Sequence, residues 1–170
     1  QSAIEEAVHE AIERLYRGQP PAAIVLGDAH WHHGVIGIVA AKIAEAYHRP
    51  TFLLQIHGDT ARGSGRSIPA FNLYEGLQHC ARWLQRFGGH KYAAGLSMST
   101  VHIPFLQEDF VRFAEDTLTP EDLQPVLHLD ALAALDDITL PAILELARCG
   151  PHGADNPVPL FAAREVRLAS

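Results

Sequence analysis

The sequence predicts an α/β domain: a mixed, partly parallel sheet flanked by helices, followed by the truncated start of a smaller β unit. Three observations predict it. A strand, helix, strand order runs through residues 22–56, the pattern of a βαβ unit and so of parallel pairing. Hydrophobic residues make up 48% of the 170-residue chain and charged residues 19%, a balance that suits a soluble, globular core rather than disorder. The composition also shifts near residue 118, where Thr-Leu-Thr-Pro-Glu-Asp reads as a linker.

Each element follows from local pattern. Residues 2–16 read as a helix, because Ile4, Val8, Ile12 and Leu15 recur every three to four positions with glutamates between them. Gly18-Gln-Pro-Pro21 ends it. A lone helix of this length is marginal, so residues 1–19 are expected to connect to a preceding domain, and the chain to be a piece of a longer protein. Ala22–Leu26 is a buried strand, Gly34–Tyr47 a helix and Thr51–Ile56 a second strand. Ala61–Ser67 is a third strand, polar because it lines something. Asn72 caps a helix expected to run to about Arg86, with Leu73, Leu77, Cys80 and Leu84 as its buried stripe. Ala94–Val101 is a fourth strand, and Pro104 opens a helix to about Thr117. Residues 20–117 thus form one domain and 118–125 a linker. Residues 126–170 begin a second unit: a strand near Val126–Leu129, a helix near Leu140–Ala147, turns from Gly150 to Pro159 and a strand over Leu160–Leu168.

Charge and composition narrow the function. No apolar run approaches the roughly 20 residues needed to span a bilayer, and there is no basic-then-apolar signal segment. A cytoplasmic protein without membrane partners is expected. Net charge is −7, which argues against nucleic acid until its distribution is considered. Residues 58–98 hold five Lys/Arg (Arg62, Arg66, Arg82, Arg86, Lys91) against Asp59 and Glu75, a local excess of three positive charges. Residues 99–170 hold four Lys/Arg against twelve Asp/Glu. The basic window is also the glycine-rich one. Cys80 and Cys149 are too few and too far apart for a thiolate metal site and are expected as buried or half-buried thiols.

Three motifs carry the candidate chemistry. In Gly63-Ser-Gly-Arg-Ser67, glycines would let backbone N–H groups approach an anion, Ser64 and Ser67 add hydroxyls, and Arg66 supplies a fork matched to phosphate oxygens. Strand alternation places Ser64 and Arg66 on one face. An exposed edge strand ending in a turn at Pro69 explains the same residues. Gly88-Gly89-His90-Lys91-Tyr92-Ala93-Ala94-Gly95 follows an expected helix, so the paired glycines can be a helix stop. That leaves His90 and the small residues after it unexplained, and His90 can donate to a phosphate or take part in acid–base chemistry. Asp28-Ala-His30-Trp31-His32-His33-Gly34 lies between strand and helix, where α/β folds place ligands. Its histidines lack metal-site spacing, so no metal is assigned; Trp31 either stacks on a base or caps the core. Arg82 and Arg86, four apart on the expected helix, either meet phosphates or form a solvated face.

Together, Trp31-His-His-Gly-Val-Ile-Gly-Ile-Val-Ala40, Arg62-Gly-Ser-Gly-Arg-Ser-Ile-Pro69 with Phe71-Asn72-Leu73, and Phe87-Gly-Gly-His-Lys-Tyr-Ala-Ala-Gly95 resemble the RecJ family of the DHH superfamily. The likeness is to its DHH-associated domain, with residues 126–170 similar to the segment leading into an OB fold. His33 stands where that family usually has proline. The resemblance implies the substrate-binding part of a 5′-to-3′ single-stranded-DNA exonuclease of repair and recombination, releasing mononucleotides. It implies Mn2+ or Mg2+ bound by a separate DHH domain, since no Asp-His-His triplet occurs here. The fragment alone would then be inactive. It implies that Ser64 and Arg66 hold a 5′-terminal phosphate, that Gly88, Gly89 and a catalytic His90 meet the scissile region, and that Ser67, Trp31 and His32 contact substrate. Implied partners are 5′-phosphorylated single-stranded DNA, single-stranded-DNA-binding protein and a RecQ-type helicase. The rival readings are a DHH-family phosphodiesterase of short oligonucleotides or cyclic dinucleotides, a non-catalytic nucleic-acid-binding module, and a small-molecule α/β enzyme.

Overall fold

The computed structural model describes residues 2–153, 155–164 and 166. In chain order it contains α1 (Ser2–Tyr16), β1 (Ile24–Asp28), α2 (His33–Tyr47), β2 (Thr51–His57), β3 (Thr60–Arg66), α3 (Leu73–His79), β4 (Leu84–Gly89), β5 (Ala93–Ser99), α4 (Ile103–Thr117), β6 (Ala131–Leu132), α5 (Leu140–Ala147) and β7 (Phe161–Ala162). Two compact units result, residues 1–125 and residues 126–170.

The first unit is built on a five-stranded sheet of order β1-β2-β3-β5-β4. β1 pairs with β2 in parallel across the α2 crossover, and the other pairings are antiparallel. The mixed, partly parallel sheet is therefore as expected. Period-two alternation gives each face its own layer. Ile24, Leu26 and Leu53 pack with Trp31, with Val8 and Ile12 of α1, and with Ile36, Val39, Ala40 and Ile43 of α2. Val25, Phe52, Leu54, Ala61, Ala94, Leu96 and Met98 face the other way, onto α3 and α4, where Phe110 meets Phe52 and Phe71 edge-on. α1, expected only as a connector, buries Val8 and Ile12 completely and so is a layer of this unit. The segment 118–125, expected as a linker, packs onto this unit. Leu118 is buried, and the Arg49 guanidinium donates to the Leu123 carbonyl at 2.7 Å.

The helix expected over residues 72–86 is cut short. Asn72 does cap it, its side-chain oxygen accepting from Tyr74 N and Glu75 N. It ends at His79, a 3-10 turn follows over Ala81–Trp83, and Leu84–Gly89 form an edge strand. The apolar spacing fits both structures, because Leu73, Leu77 and Cys80 meet the core from the helix and Leu84 and Phe87 meet it from the strand. Tertiary pairing with β5 decides between them. Arg82 and Arg86 consequently share no helix face. Arg82 forms an ion pair with Asp109 and lies over the Trp83 ring, so it braces α4. Trp83 Nε1 donates to the same carboxylate at 2.6 Å. The Trp83 hydrogen bond, then that of Arg82, holds the Asp109 carboxyl below the usual range. Two histidines also pack internally: His9 bonds the Tyr47 hydroxyl at 2.8 Å and His79 stacks on Phe113.

In the second unit β6 and β7 pair in parallel, and Thr139 caps α5. The strand expected near Val126–Leu129 is irregular chain, and the first ladder residue is Ala131. The last expected strand is reduced to Phe161–Ala162 among the described residues; its far end at Leu168 lies outside them. Among the described residues the ladder of this unit is the one short pair β6–β7. Cys149 is exposed rather than buried, whereas burial pushes the Cys80 thiol up to about 12.

Candidate nucleic-acid interface

α1 and α2 cover their face of the sheet over β1, β2 and the near side of β3. Beyond that the same face stays open across β3, β5 and β4. Cross-strand register fixes what it presents. One row runs Ser64, Gly95, Gly88 and the next Arg62, Ser97, Arg86. Arg62, Arg86 and Gly88 are exposed; Ser64, Gly95 and Ser97 are half-buried. The floor is therefore small and polar, with arginines at its sides.

Ser64 and Arg66 lie on this face, where α2 passes over β3. Arg66 Nη1 donates to Gly65 O at 2.8 Å and to Ser64 Oγ at 3.3 Å. The helix can come this close because residue 37 is glycine. A Cβ there would stand 2.8 Å from Ser64 Oγ and 3.3 Å from Arg66 Nη2. Further along α2, Ala41 and Ala44 continue the small stripe and wall a cleft with Glu45, His48, Arg66 and Tyr92. Glu45 is the one carboxylate among those walls.

The glycines between these residues have a different task from the one expected. Gly63 and Gly65 point into the core, where a Cβ would meet Leu54 and Phe52 side chains at 2.5 Å. Their backbone groups belong to the ladders with β2 and β5, so they do not cradle an anion. Ser67 also has an internal task. Its hydroxyl donates to Phe71 O at 2.9 Å and its N–H to Tyr92 O at 3.1 Å, which leaves it bracing the turn rather than donating to a phosphate.

The Gly88–Gly95 segment is a β-hairpin and not a helix stop. Gly89 has φ +144°, and a Cβ would lie 2.3 Å from Ala93 O, so glycine is required there. Gly88 has nothing within 4 Å of its Cβ position, so packing does not demand glycine there. The hairpin closes through His90 N–H donating to Ala93 O at 2.8 Å, and Leu73 N–H donating to Lys91 O ties it to α3. The exposed His90 ring accepts from Tyr92 N–H at Nδ1, 3.3 Å away. An accepting Nδ1 places the proton of the neutral ring on Nε2, so His90 offers an outward N–H donor.

His32 is arranged the same way. It caps α2, its Nδ1 accepting from Gly34 N–H at 3.2 Å, which leaves Nε2 as the free donor. His30 is tied to Asp28 through both its backbone and its ring. The His30 backbone N–H, more than the ring, lowers the Asp28 carboxyl below its usual value. No group of three or more His, Cys, Asp or Glu suited to a metal occurs among the described residues. Trp31 is 6% exposed and packed with α1 and α2, which makes it a core residue with no face to offer a base.

Gly37, Arg62 and Ser97 went unassigned from sequence. The alternation that pairs Ser64 with Arg66 also places Arg62 on their face. Gly37 and Ser97 have no such signal, since their role exists only once α2 and β5 are laid against β3.

Fold and site define an α/β domain with an open, arginine-flanked sheet face, a serine–arginine pair under a helix and a Gly-Gly-His hairpin. The chain belongs to the DHHA1 domain family, whose model matches residues 19–119. It is 39% identical over 162 residues to the single-stranded-DNA-specific exonuclease RecJ of Bacillus subtilis, covering 94% of this chain and 21% of that protein. It is 33% identical to the protein of the same name from Escherichia coli, covering 89% of this chain and 27% of that one. Among solved structures, RecJ of Thermus thermophilus in complex with Mg2+ superposes with a TM-score of 0.73 at 34% identity, over 94% of this chain and 25% of that one. The Mn2+ complex gives 0.72. The chain therefore spans only about a quarter of the relatives it matches.

Proposed function

We propose that this chain is the strand-holding part of a RecJ-type exonuclease that degrades single-stranded DNA from the 5′ end to mononucleotides. The observation that carries this reading is the Ser64–Arg66 pair beneath Gly37, on the same face as the His90 hairpin. A terminal phosphate carries more negative charge than an internal one. A guanidinium and a hydroxyl converging at one point favour it through charge-assisted bonds, roughly twice as strong as neutral ones. His90 then adds its Nε2 donor near the bond to be cut, and His32 a second donor at the start of α2.

Among the described residues no group of three or more His, Cys, Asp or Glu is placed to hold a metal ion. In this reading Mn2+ or Mg2+ is held by residues outside residues 1–170, and the isolated chain does not cleave DNA. Work in repair and recombination in a bacterial cytoplasm, alongside single-stranded-DNA-binding protein and a RecQ-type helicase, belongs to the same reading.

The test is Arg66→Ala in the complete gene product, with matched 5′-phosphate and 5′-hydroxyl oligonucleotides. Losing a hydrogen bond to a charged group costs about 1.5–3 kcal/mol, or about 10–100-fold. The preference for 5′-phosphate should fall by that factor. An unchanged preference would overturn the reading.

A further inference from the structure

The row Asp28, Gln55, Arg62, Ser97, Arg86 crosses all five strands in register and is polar at every position. It lies beside the row that carries Ser64, on the same open face. Its two ends differ in charge. At β1 the Asp28 carboxylate is tied to His30 and held below its usual pKa, so it stays ionised and repels phosphate. At β3 and β4 stand two exposed arginines, with the Ser97 hydroxyl between them.

Arg62 and Arg86 line one depression with Thr60, Gln85 and Ser97. Neither forms an ion pair among the described residues, in contrast to Arg82 and Arg112. Two strand spacings separate their backbones, about 10 Å, and the side chains lean over the same floor. A row of free guanidinia over small side chains is what a sugar–phosphate backbone needs: charge at the phosphate and no bulk beneath it.

We propose that Arg62 and Arg86, bridged by Ser97, form a second phosphate subsite that holds internal phosphates of the strand after its 5′ end has entered the Ser64–Arg66 site. The strand runs over β3, β5 and β4, away from Asp28. This rests on the function proposed above and adds to it the path of the strand. It binds any sequence, because the floor offers arginine and hydroxyl donors but no aromatic face for a base.

The experiment measures equilibrium binding of a long mixed-sequence single strand to the complete gene product as salt is varied. For single strands the log–log slope changes by about 0.7 per phosphate contact. Arg62→Ala/Arg86→Ala should therefore flatten the slope by about 1.4 and weaken binding, while the ratio of 5′-phosphate to 5′-hydroxyl affinity is kept. Arg62→Lys/Arg86→Lys should restore most of the slope. An unchanged slope in the alanine pair overturns the subsite. Loss of the 5′-phosphate ratio in that pair also overturns it, since the two sites would then be one. Arg66→Ala fails or succeeds separately, because it changes the ratio and not the internal contacts.

Discussion

Gly37→Ala separates the stability of α2 from the geometry of the site beneath it. In an exposed helix interior alanine is better than glycine by about 0.8–1 kcal/mol. The added Cβ, however, would stand 2.8 Å from Ser64 Oγ. Relief comes by turning the serine out of its rotamer, at about 0.5–1.5 kcal/mol. The two effects nearly cancel, so the denaturation midpoint should barely move. Function should not be spared. Ser64 Oγ is the acceptor that helps hold Arg66 Nη1, 3.3 Å away, and the same Cβ crowds Arg66 Nη2. Displacing one charge-assisted contact is worth about 1.5–3 kcal/mol, so affinity for a 5′-phosphorylated strand should drop about 10–100-fold. The assay pairs urea denaturation with binding of 5′-phosphate and 5′-hydroxyl oligonucleotides. A variant stabilised by the full helix-propensity gain, with undiminished 5′-phosphate affinity, would refute the reasoning.

Two further outcomes test the frame around the site. Gly89→Ala combines a positive φ with a backbone collision against Ala93 O, and should lower stability by more than about 2 kcal/mol by urea denaturation while opening the His90 hairpin. Asp109→Asn keeps the shape but removes the charge that Trp83 and Arg82 bond, and should cost about 1–2 kcal/mol, chiefly from the Trp83 side because the Arg82 head is largely solvated. The sign with pH follows from a lowered folded-state pKa. The Asp109 contribution is present above the unfolded carboxylate value near 4 and is lost as pH falls through the lower folded value, so the deficit of the variant should shrink in acid.

Much of the first unit was legible because its elements obey simple periods. The βαβ unit of β1, α2 and β2 follows from apolar runs of strand length around a helical stripe, and α4 carries Pro104 in its first turn, as expected, although it opens at Ile103. The Ser64–Arg66 face was legible too, since alternation in a strand needs no knowledge of neighbours. The Leu73–Leu84 spacing was not decisive, because residues three to four apart on a short helix followed by a strand bury the same positions as one long helix. The same ambiguity makes the Gly-Gly pair fit a helix stop and sets Arg82 beside Arg86 on a helix that the structure ends at His79.

By itself the sequence determined the βαβ unit, the motif order and the placing of Ser64 with Arg66, because these depend on local periodicity and on the chemistry of each side chain. Tertiary structure alone decided which glycines serve the core and which the surface. It buried Trp31, gave Ser67 to a turn and Arg82 to Asp109, and put Arg62 across Ser97 from Arg86. The physical reason is common to all of these. They depend on strand register and on which face a helix covers, and both are set by the packing of segments distant in the chain.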